Sequence, residues 1–244
     1  MRENDWILHL AAIVGYPACA VDPIRSSTTN IDGTKNIIRA MSKSQRLMFA
    51  STGSTYGKVL GIANEETPIA PLTLYGKTKR DCEEIIKDSN LDYTIFRFAT
   101  VFGTSPRLRL DLLVNDFVYQ SIHNRQIVLF EGYFRRTFLH SSDAANIYLF
   151  ALDNFDKMNG NVYNIGDDTM NYSKREVAKK ISKYVEYYLH EAEIGTDADK
   201  RDYEVDYSRI RQLGYNIKVN LDDGIQELIK ILSVIKIYNP MRNA

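Results

Sequence analysis

The sequence predicts an α/β protein built on a doubly wound parallel sheet. Apolar runs of strand length alternate with amphipathic stretches of helix length, the order that parallel βαβ units require. The first run, Trp6-Ile7-Leu8-His9-Leu10-Ala11-Ala12, is almost continuously apolar rather than alternating, as suits a strand covered on both faces. A length of 244 residues suffices for one sizeable core with a smaller lobe beside it.

In chain order, Trp6–Ala12 is the first strand. After a loop with Pro17 and Pro23, Asn30 to Met41 reads as a helix with an apolar face at Ile37, Ile38 and Met41, and Asn30 suits its cap. Leu47–Ala50 is the next strand and runs into the Ser/Thr/Gly-rich turn Ser51-Thr52-Gly53-Ser54-Thr55-Tyr56-Gly57. Tyr75–Asp88 is the next helix, and Tyr93–Phe98 the strand after it. Glu65 and Glu66, before Thr67-Pro68, are expected to face solvent from a loop. Later, a helix is expected from Ser141-Ser142-Asp143 through Leu152, capped by Ser142 or Asp143, with His140 in a structural role. Asn161–Ile165 reads as a short strand. Ser173–Tyr187 reads as a helix opened by the capping box Ser173-Lys174-Arg175-Glu176, and Leu221–Ile235 as another. Tyr184, Tyr187 and Tyr188 are read as packing residues.

Composition narrows the partners. The 31 Lys and Arg balance the 31 Asp and Glu, so no basic excess points to nucleic acid. Cys19 and Cys82 lack metal-ligand spacing, which leads us to expect reduced thiols, a cytoplasmic setting and no metal. Met1-Arg2-Glu3-Asn4-Asp5 is no targeting signal, and no run reaches the roughly 18 apolar residues of a membrane span.

The chemistry-bearing stretch is Leu74-Tyr75-Gly76-Lys77-Thr78-Lys79. Tyr75 and Lys79 are one helical turn apart on one face, so an ammonium can sit beneath a phenol. A phenol titrates near 10, so proton exchange near neutrality needs about 4 kcal/mol of differential stabilisation of the phenolate. A neighbouring cation supplies part of it. The strand end at Thr52 can meet this helix start, where its hydroxyl can bond the substrate oxygen that Tyr75 protonates or deprotonates.

Several motifs in order carry a resemblance that spans nearly the whole chain: His9-Leu10-Ala11-Ala12, Asn30-Ile31-Asp32-Gly33-Thr34, Ser51 to Gly57, Tyr75 to Lys79, Arg97-Phe98 through Gly103, Arg136-Thr137-Phe138-Leu139-His140, and Tyr163-Asn164-Ile165-Gly166. In these the sequence resembles the extended short-chain dehydrogenases/reductases that act on nucleotide sugars, the NAD-dependent epimerase/dehydratase group. The resemblance implies a Rossmann-like sheet over residues 1–103, with 136–166 returning to it, and a nucleotide-sugar lobe from 104–135 and 167–244. It implies an enzyme, expected as a cytoplasmic homo-oligomer such as a homodimer, that uses NAD, with NADP as the alternative cofactor, on a UDP-, dTDP-, GDP- or CDP-hexose. The chemistry implied is epimerisation through a transient ketone at C4.

By the same resemblance Tyr75, Lys79 and Thr52 are catalytic. Leu10, Ala11, Ala12, Asn30, Ser51, Phe98 and Ala99, with Tyr75 and Lys79, would hold the cofactor. Asn30 would also position the active-site backbone. Thr100, which stands where relatives commonly have Asn, would touch substrate with Asn115, Arg136 and Arg201. Arginine suits a diphosphate because its planar fork makes paired bonds to phosphate oxygens. Asp206 to Tyr215 resembles the closing helix of the sugar lobe.

The sequence departs from the family pattern in two places. The 13 glycines contain no Gly-x-Gly-x-x-Gly, and three strands expected before His9 are not in the sequence. The expected sheet is therefore truncated, as in a fragment or an early-truncated gene product, with weak dinucleotide binding and an association-prone edge at Trp6–Ala12. Gly53-Ser54 also follows Thr52, where dehydratases of this group carry an Asp-Glu pair. That ranks 4,6-dehydration below epimerisation or one-way ketone reduction. A remnant that binds nucleotide sugar or a partner chain without catalysis is the reading from a different class.

Overall fold

The structure is a computed structural model that describes residues 4–192 and 203–235. In chain order the strands and helices are β1 (Trp6–His9), α1 (Tyr16–Val21), α2 (Pro23–Ser27), α3 (Gly33–Ala40), β2 (Arg46–Thr52), β3 (Ile62–Ala63), α4 (Leu74–Lys87), β4 (Asp92–Phe98), β5 (Thr100–Phe102), α5 (Leu113–His123), β6 (Gln126–Leu129), β7 (Arg135–His140), α6 (Ser141–Met158), β8 (Asn161–Ile165), β9 (Asn171–Ser173), α7 (Lys174–Ile181), β10 (Tyr188–Glu191), β11 (Glu204–Val205), α8 (Ser208–Gln212) and α9 (Leu221–Leu232). The main sheet has the order β1-β2-β4-β8 and every pairing is parallel, as the alternating pattern predicts.

Strand periodicity assigns the two faces. Leu47, Phe49 and Ile95 pack with Cys82 and Ile86 of α4 and with Ile37 and Ile38 of α3. The intervening residues Met48 and Phe96 pack on the opposite face against Ile147, Ala151 and Phe155 of α6. Each such large side chain, once buried, contributes about 1.5–3 kcal/mol. A second core forms where α5, α7 and α9 enclose Phe102, Val114, Phe138, Val177 and Leu228. Residues 203–215, within the stretch expected for the smaller lobe, send Tyr203, Val205, Tyr207, Ile210 and Tyr215 into the α6 side of the main core.

Several elements differ from the sequence-based boundaries for identifiable reasons. β1 ends at His9 rather than Ala12, because the Asn30 amide takes the next backbone groups: Ile13 N–H donates to Oδ1 at 2.8 Å and Nδ2 donates to the Ile13 carbonyl at 3.1 Å. The helix expected from Asn30 begins with a wide π-type turn, Thr28–Asp32. α6 is capped by His140, whose Nδ1 accepts from Ser142 N–H at 3.3 Å, and it runs on to Met158. Asp143, expected as a possible cap, instead accepts from Lys218 N–H and Val219 N–H, each at 3.0 Å. The capping box at Ser173 and Glu176 forms, but α7 stops at Ile181 and the chain turns into β10, which pairs with β6. Of the three tyrosines read as packing residues, Tyr187 joins the second core while Tyr184 and Tyr188 are exposed.

One buried polar chain ties the main sheet to α4. Arg97, 3% exposed, sends Nη2 to Glu83 Oε2 at 2.7 Å and Nη1 to the Tyr56 hydroxyl at 3.1 Å. Tyr56 donates to Asn164 Oδ1 at 2.7 Å, and Ser51 donates to Glu83 from the neighbouring strand. Removing one partner strands the other's charge in the interior. Glu83→Ala is expected to lower stability by about 3–5 kcal/mol in urea denaturation. A loss below about 1 kcal/mol would mean that water reaches Arg97 and that the pair is dispensable.

Candidate active site

Tyr75, Lys79 and Glu83 recur every fourth residue on α4, so they form one stripe facing the carboxyl ends of β2 and β4. Thr73 caps the helix by accepting from Gly76 N–H at 3.1 Å, which fixes where the stripe begins. Gly76 is required by close approach, since a Cβ there would lie 2.8 Å from the Ser54 carbonyl. α4 and the turn after Thr52 therefore touch, as the sequence leads one to expect.

The stripe opens on a cleft of about 380 Å³. It is lined by Leu10, Ser51, Thr52, Tyr75, Lys79, Phe98, Ala99, Thr100 and Asn115, bringing together most of the residues singled out from the sequence. Ala11, Ala12, Asn30 and Arg136 are not among its lining residues, and Arg201 lies outside the described residues. Asn30 is buried behind the cleft, where it holds Ile13 and donates to Thr78 Oγ1 at 3.1 Å. Arg136 is buried in β7 and donates to the Arg135 carbonyl at 2.9 Å. Asn115 reaches the cleft wall with its amide committed to backbone: it accepts from Gly103 N–H at 3.0 Å and donates to the Arg109 carbonyl at 2.8 Å.

Charge in the cleft is one-sided. Lys79, Arg107 and Arg109 line it, and among the described residues no Asp or Glu does. Asp111 takes both Arg109 Nε and Nη2, at 3.0 and 2.6 Å. Lys79 is 3% exposed; its ammonium donates to the Ala50 carbonyl at 2.7 Å and sits 4.6 Å from the Phe49 ring centroid. Burial pulls its pKa down to about 8. His9, behind it, is brought to about 4 by burial and by the Lys79 charge, so it is a neutral neighbour. Thr52 Oγ1 accepts from Ser54 N–H at 3.2 Å and donates to Ser54 Oγ at 3.1 Å.

Residues 1–166 match the family described as NAD dependent epimerase/dehydratase. The chain belongs to that family. Among its relatives, a UDP-N-acetyl-alpha-D-glucosaminuronate decarboxylase of Bacillus cytotoxicus is 29% identical over 74% of this chain and 59% of its own length. A putative UDP-glucose 4-epimerase of Methanocaldococcus jannaschii is 26% identical over 93% of this chain and 77% of its own. The chain thus spans between about half and three quarters of such relatives. The solved UDP-glucuronic acid 4-epimerase of Bacillus cereus, in complex with UDP-glucuronic acid and NAD, superimposes with a TM-score of 0.79 at 26% identity, covering 95% of this chain and 76% of that one.

Within the epimerase/dehydratase family frame, the residues of this chain fit the nicotinamide-ribose end of NAD. Lys79, Tyr75, Ser51 and Phe98, which line one cleft, would hold it, and among the described residues no glycine-rich strand-to-helix turn of the phosphate-binding kind is present. Sequence reasoning missed Tyr203, Arg107 and Arg109 as lining residues. The arginines carried a signal in the polar stretch Pro106-Arg107-Leu108-Arg109, whereas Tyr203 arrives only through the tertiary path of β11. Glu65 is a correction: its side chain is 4% exposed rather than solvent-facing, because Asn164 N–H and Arg209 both claim it. No metal-ligating group of three or more side chains, and no helix long and apolar enough to cross a membrane, is present among the described residues.

The depressed pKa of Lys79 has a thermodynamic consequence. Below about pH 8 the folded chain carries a buried ammonium; between about 8 and 10.5 it gives up a proton that the unfolded chain still holds. This penalty lifts as pH rises through that window and returns as pH falls. Relative to Lys79→Met, the wild type should gain about 3 kcal/mol of stability between pH 7.5 and 10.5 in parallel denaturant titrations. A constant difference would show that Lys79 is solvated in the folded state.

Proposed function

We propose that this chain carries the chemistry of an NAD-dependent nucleotide-sugar epimerase acting at C4 through a transient ketone. The carrying observation is the convergence of Tyr75, Lys79 and Thr52 on one cleft that has cations and no carboxylate among its described lining residues. A UDP-sugar is the favoured substrate because the relatives named above act on or bind UDP-sugars by name. A dTDP-, GDP- or CDP-hexose is the broader class. A cytoplasmic homo-oligomer is part of the same proposal.

In this reading the Tyr75 phenol takes the C4 hydroxyl proton and later returns it. The Thr52 hydroxyl bonds the same sugar oxygen. Lys79, anchored by Ala50, holds the nicotinamide ribose and favours the phenolate while it remains protonated. The chemistry that NAD supplies is removal and return of hydride at C4. Phe98, Ala99, Leu10 and Ser51 line the cleft and would hold the nicotinamide ring. Arg107 and Arg109 give the cleft the sign that an anionic nucleotide sugar needs.

Dehydration is disfavoured by sterics as well as by sequence. A side chain at Gly53 would meet the Tyr203 hydroxyl at 3.2 Å and the Phe98 carbonyl at 3.5 Å, so the position has little room for an acid. Decarboxylation is the second reading, favoured by the decarboxylase relative. A hexuronate oxidised at C4 is a β-keto acid; its C5–carboxylate bond breaks, carbon dioxide leaves, and the electron pair passes to the keto oxygen as an enolate. Proton delivery to C5 then gives a 4-ketopentose, and return to C4 of the hydride first removed there gives the pentose. UDP-glucuronate discriminates the two, since epimerisation gives UDP-galacturonate and decarboxylation gives a UDP-pentose with carbon dioxide.

Tyr75→Phe should lower turnover of a UDP-sugar by roughly 100-fold or more with saturating NAD, the scale of a general acid–base group. Undiminished turnover would remove Tyr75 from proton transfer.

A further inference from the structure

Glu65 has no part in the chemistry above, yet its carboxylate is buried at a junction of three elements. Its Oε1 accepts from Asn164 N–H of β8 at 2.8 Å. Its Oε2 lies 3.9 Å from Arg209 Nε of α8, whose Nη1 donates to the Val162 carbonyl at 3.3 Å and whose Nη2 reaches Glu66. The Glu65 carbonyl in turn accepts from Arg97 Nη1 at 3.4 Å, so the residue is joined to the buried chain that fixes α4.

The same segment carries one cleft wall. β3, just before Glu65, pairs in parallel with β11, and Asp206 N–H donates to the Ala63 carbonyl at 2.8 Å. Asn164 Nδ2 donates to the Asp206 carbonyl at 3.2 Å. Tyr203, the residue before β11, is 5% exposed and lines the cleft with its hydroxyl against Gly53, beside Thr52. β11 is only two residues long and its pairing is correspondingly slight, so its placement depends on the contacts that flank it. On its C-terminal side Glu65 supports them through Asn164, which holds Asp206, and through Arg209, beside the Arg135–Glu204 pair and the Tyr207 N–H that donates to Asp168 Oδ1 at 3.1 Å.

We propose that Glu65 is a positioning residue that, with Arg209, latches the 203–209 segment so that Tyr203 forms the cleft wall beside Thr52. Its effect on ligand rests on the nucleotide-sugar reading above; its effect on the segment does not. Glu65→Gln keeps an acceptor for Asn164 N–H and removes the charge that holds Arg209. Arg209→Met removes that contact from the other side, together with the Glu66 pair and the bond to the Val162 carbonyl.

Hydrogen exchange on the full chain reads the latch, and calorimetry with UDP-glucose in the presence of NAD reads the wall. Both variants should speed amide exchange across 203–212 by about tenfold, with α3 and α4 unchanged, and weaken UDP-glucose by about tenfold. In a Tyr203→Ala background, Glu65→Gln should change that affinity less than about twofold, which a merely structural defect would not reproduce. Unchanged exchange in both variants overturns the latch. Equal affinity losses with and without Tyr203 overturn its action through that side chain. If the wild type binds no UDP-glucose, the functional reading falls, and exchange alone upholds or overturns the latch.

Discussion

A buried guanidinium sets the terms for this molecule. Arg97 ends β4 in the interior, where a charge must be paired and hydrogen-bonded or the fold cannot hold it. Glu83 pairs it from α4, Tyr56 from the turn after β2, and the Glu65 carbonyl from the loop after β3, the strand that pairs with β11. Three segments that precede β4 in the chain are thereby referenced to one point. The helix pitch does the rest on one side: with Glu83 fixed, Lys79 reaches the Ala50 carbonyl one turn earlier and Tyr75 stands at the rim one turn before that. On the other side, the strand pair β3–β11 delivers Tyr203 against Gly53. The Tyr75 wall and, through the Glu65 carbonyl, the loop after β3 both connect to the same buried pair.

Much of this was legible in the sequence because it rests on local periodicity. The parallel strands, the α4 stripe with Tyr75 and Lys79, and the capping box at Ser173 are short-range patterns, and short-range patterns survive without tertiary information. What escaped depends on partners far along the chain. Glu65 reads as a loop acid until Asn164 and Arg209, 99 and 144 positions later, close on it. β1 stops early because Asn30 captures Ile13, a contact between a strand end and a helix start that no single run encodes. That Arg136 is buried in β7 is a property of the sheet rather than of its motif.

The cleft narrows the chemistry further than family membership does. Its described lining has three cations, a tyrosine and a threonine at the helix start, and no carboxylate, which suits proton exchange at a hydroxyl of an anionic ligand. At Gly53 a side chain would crowd the Tyr203 hydroxyl at 3.2 Å. Lys79 adds a limit of its own, because a group titrating near 8 supports a phenolate well only below that pH.

The most direct test of transient oxidation at C4 is the fate of deuterium placed on C4 of a UDP-sugar and followed by NMR during turnover with NAD. Hydride removal and return inside the cleft predicts that the epimer retains the label at C4. Loss of the label to water would mean that a proton rather than a hydride leaves that carbon, and would contradict the account.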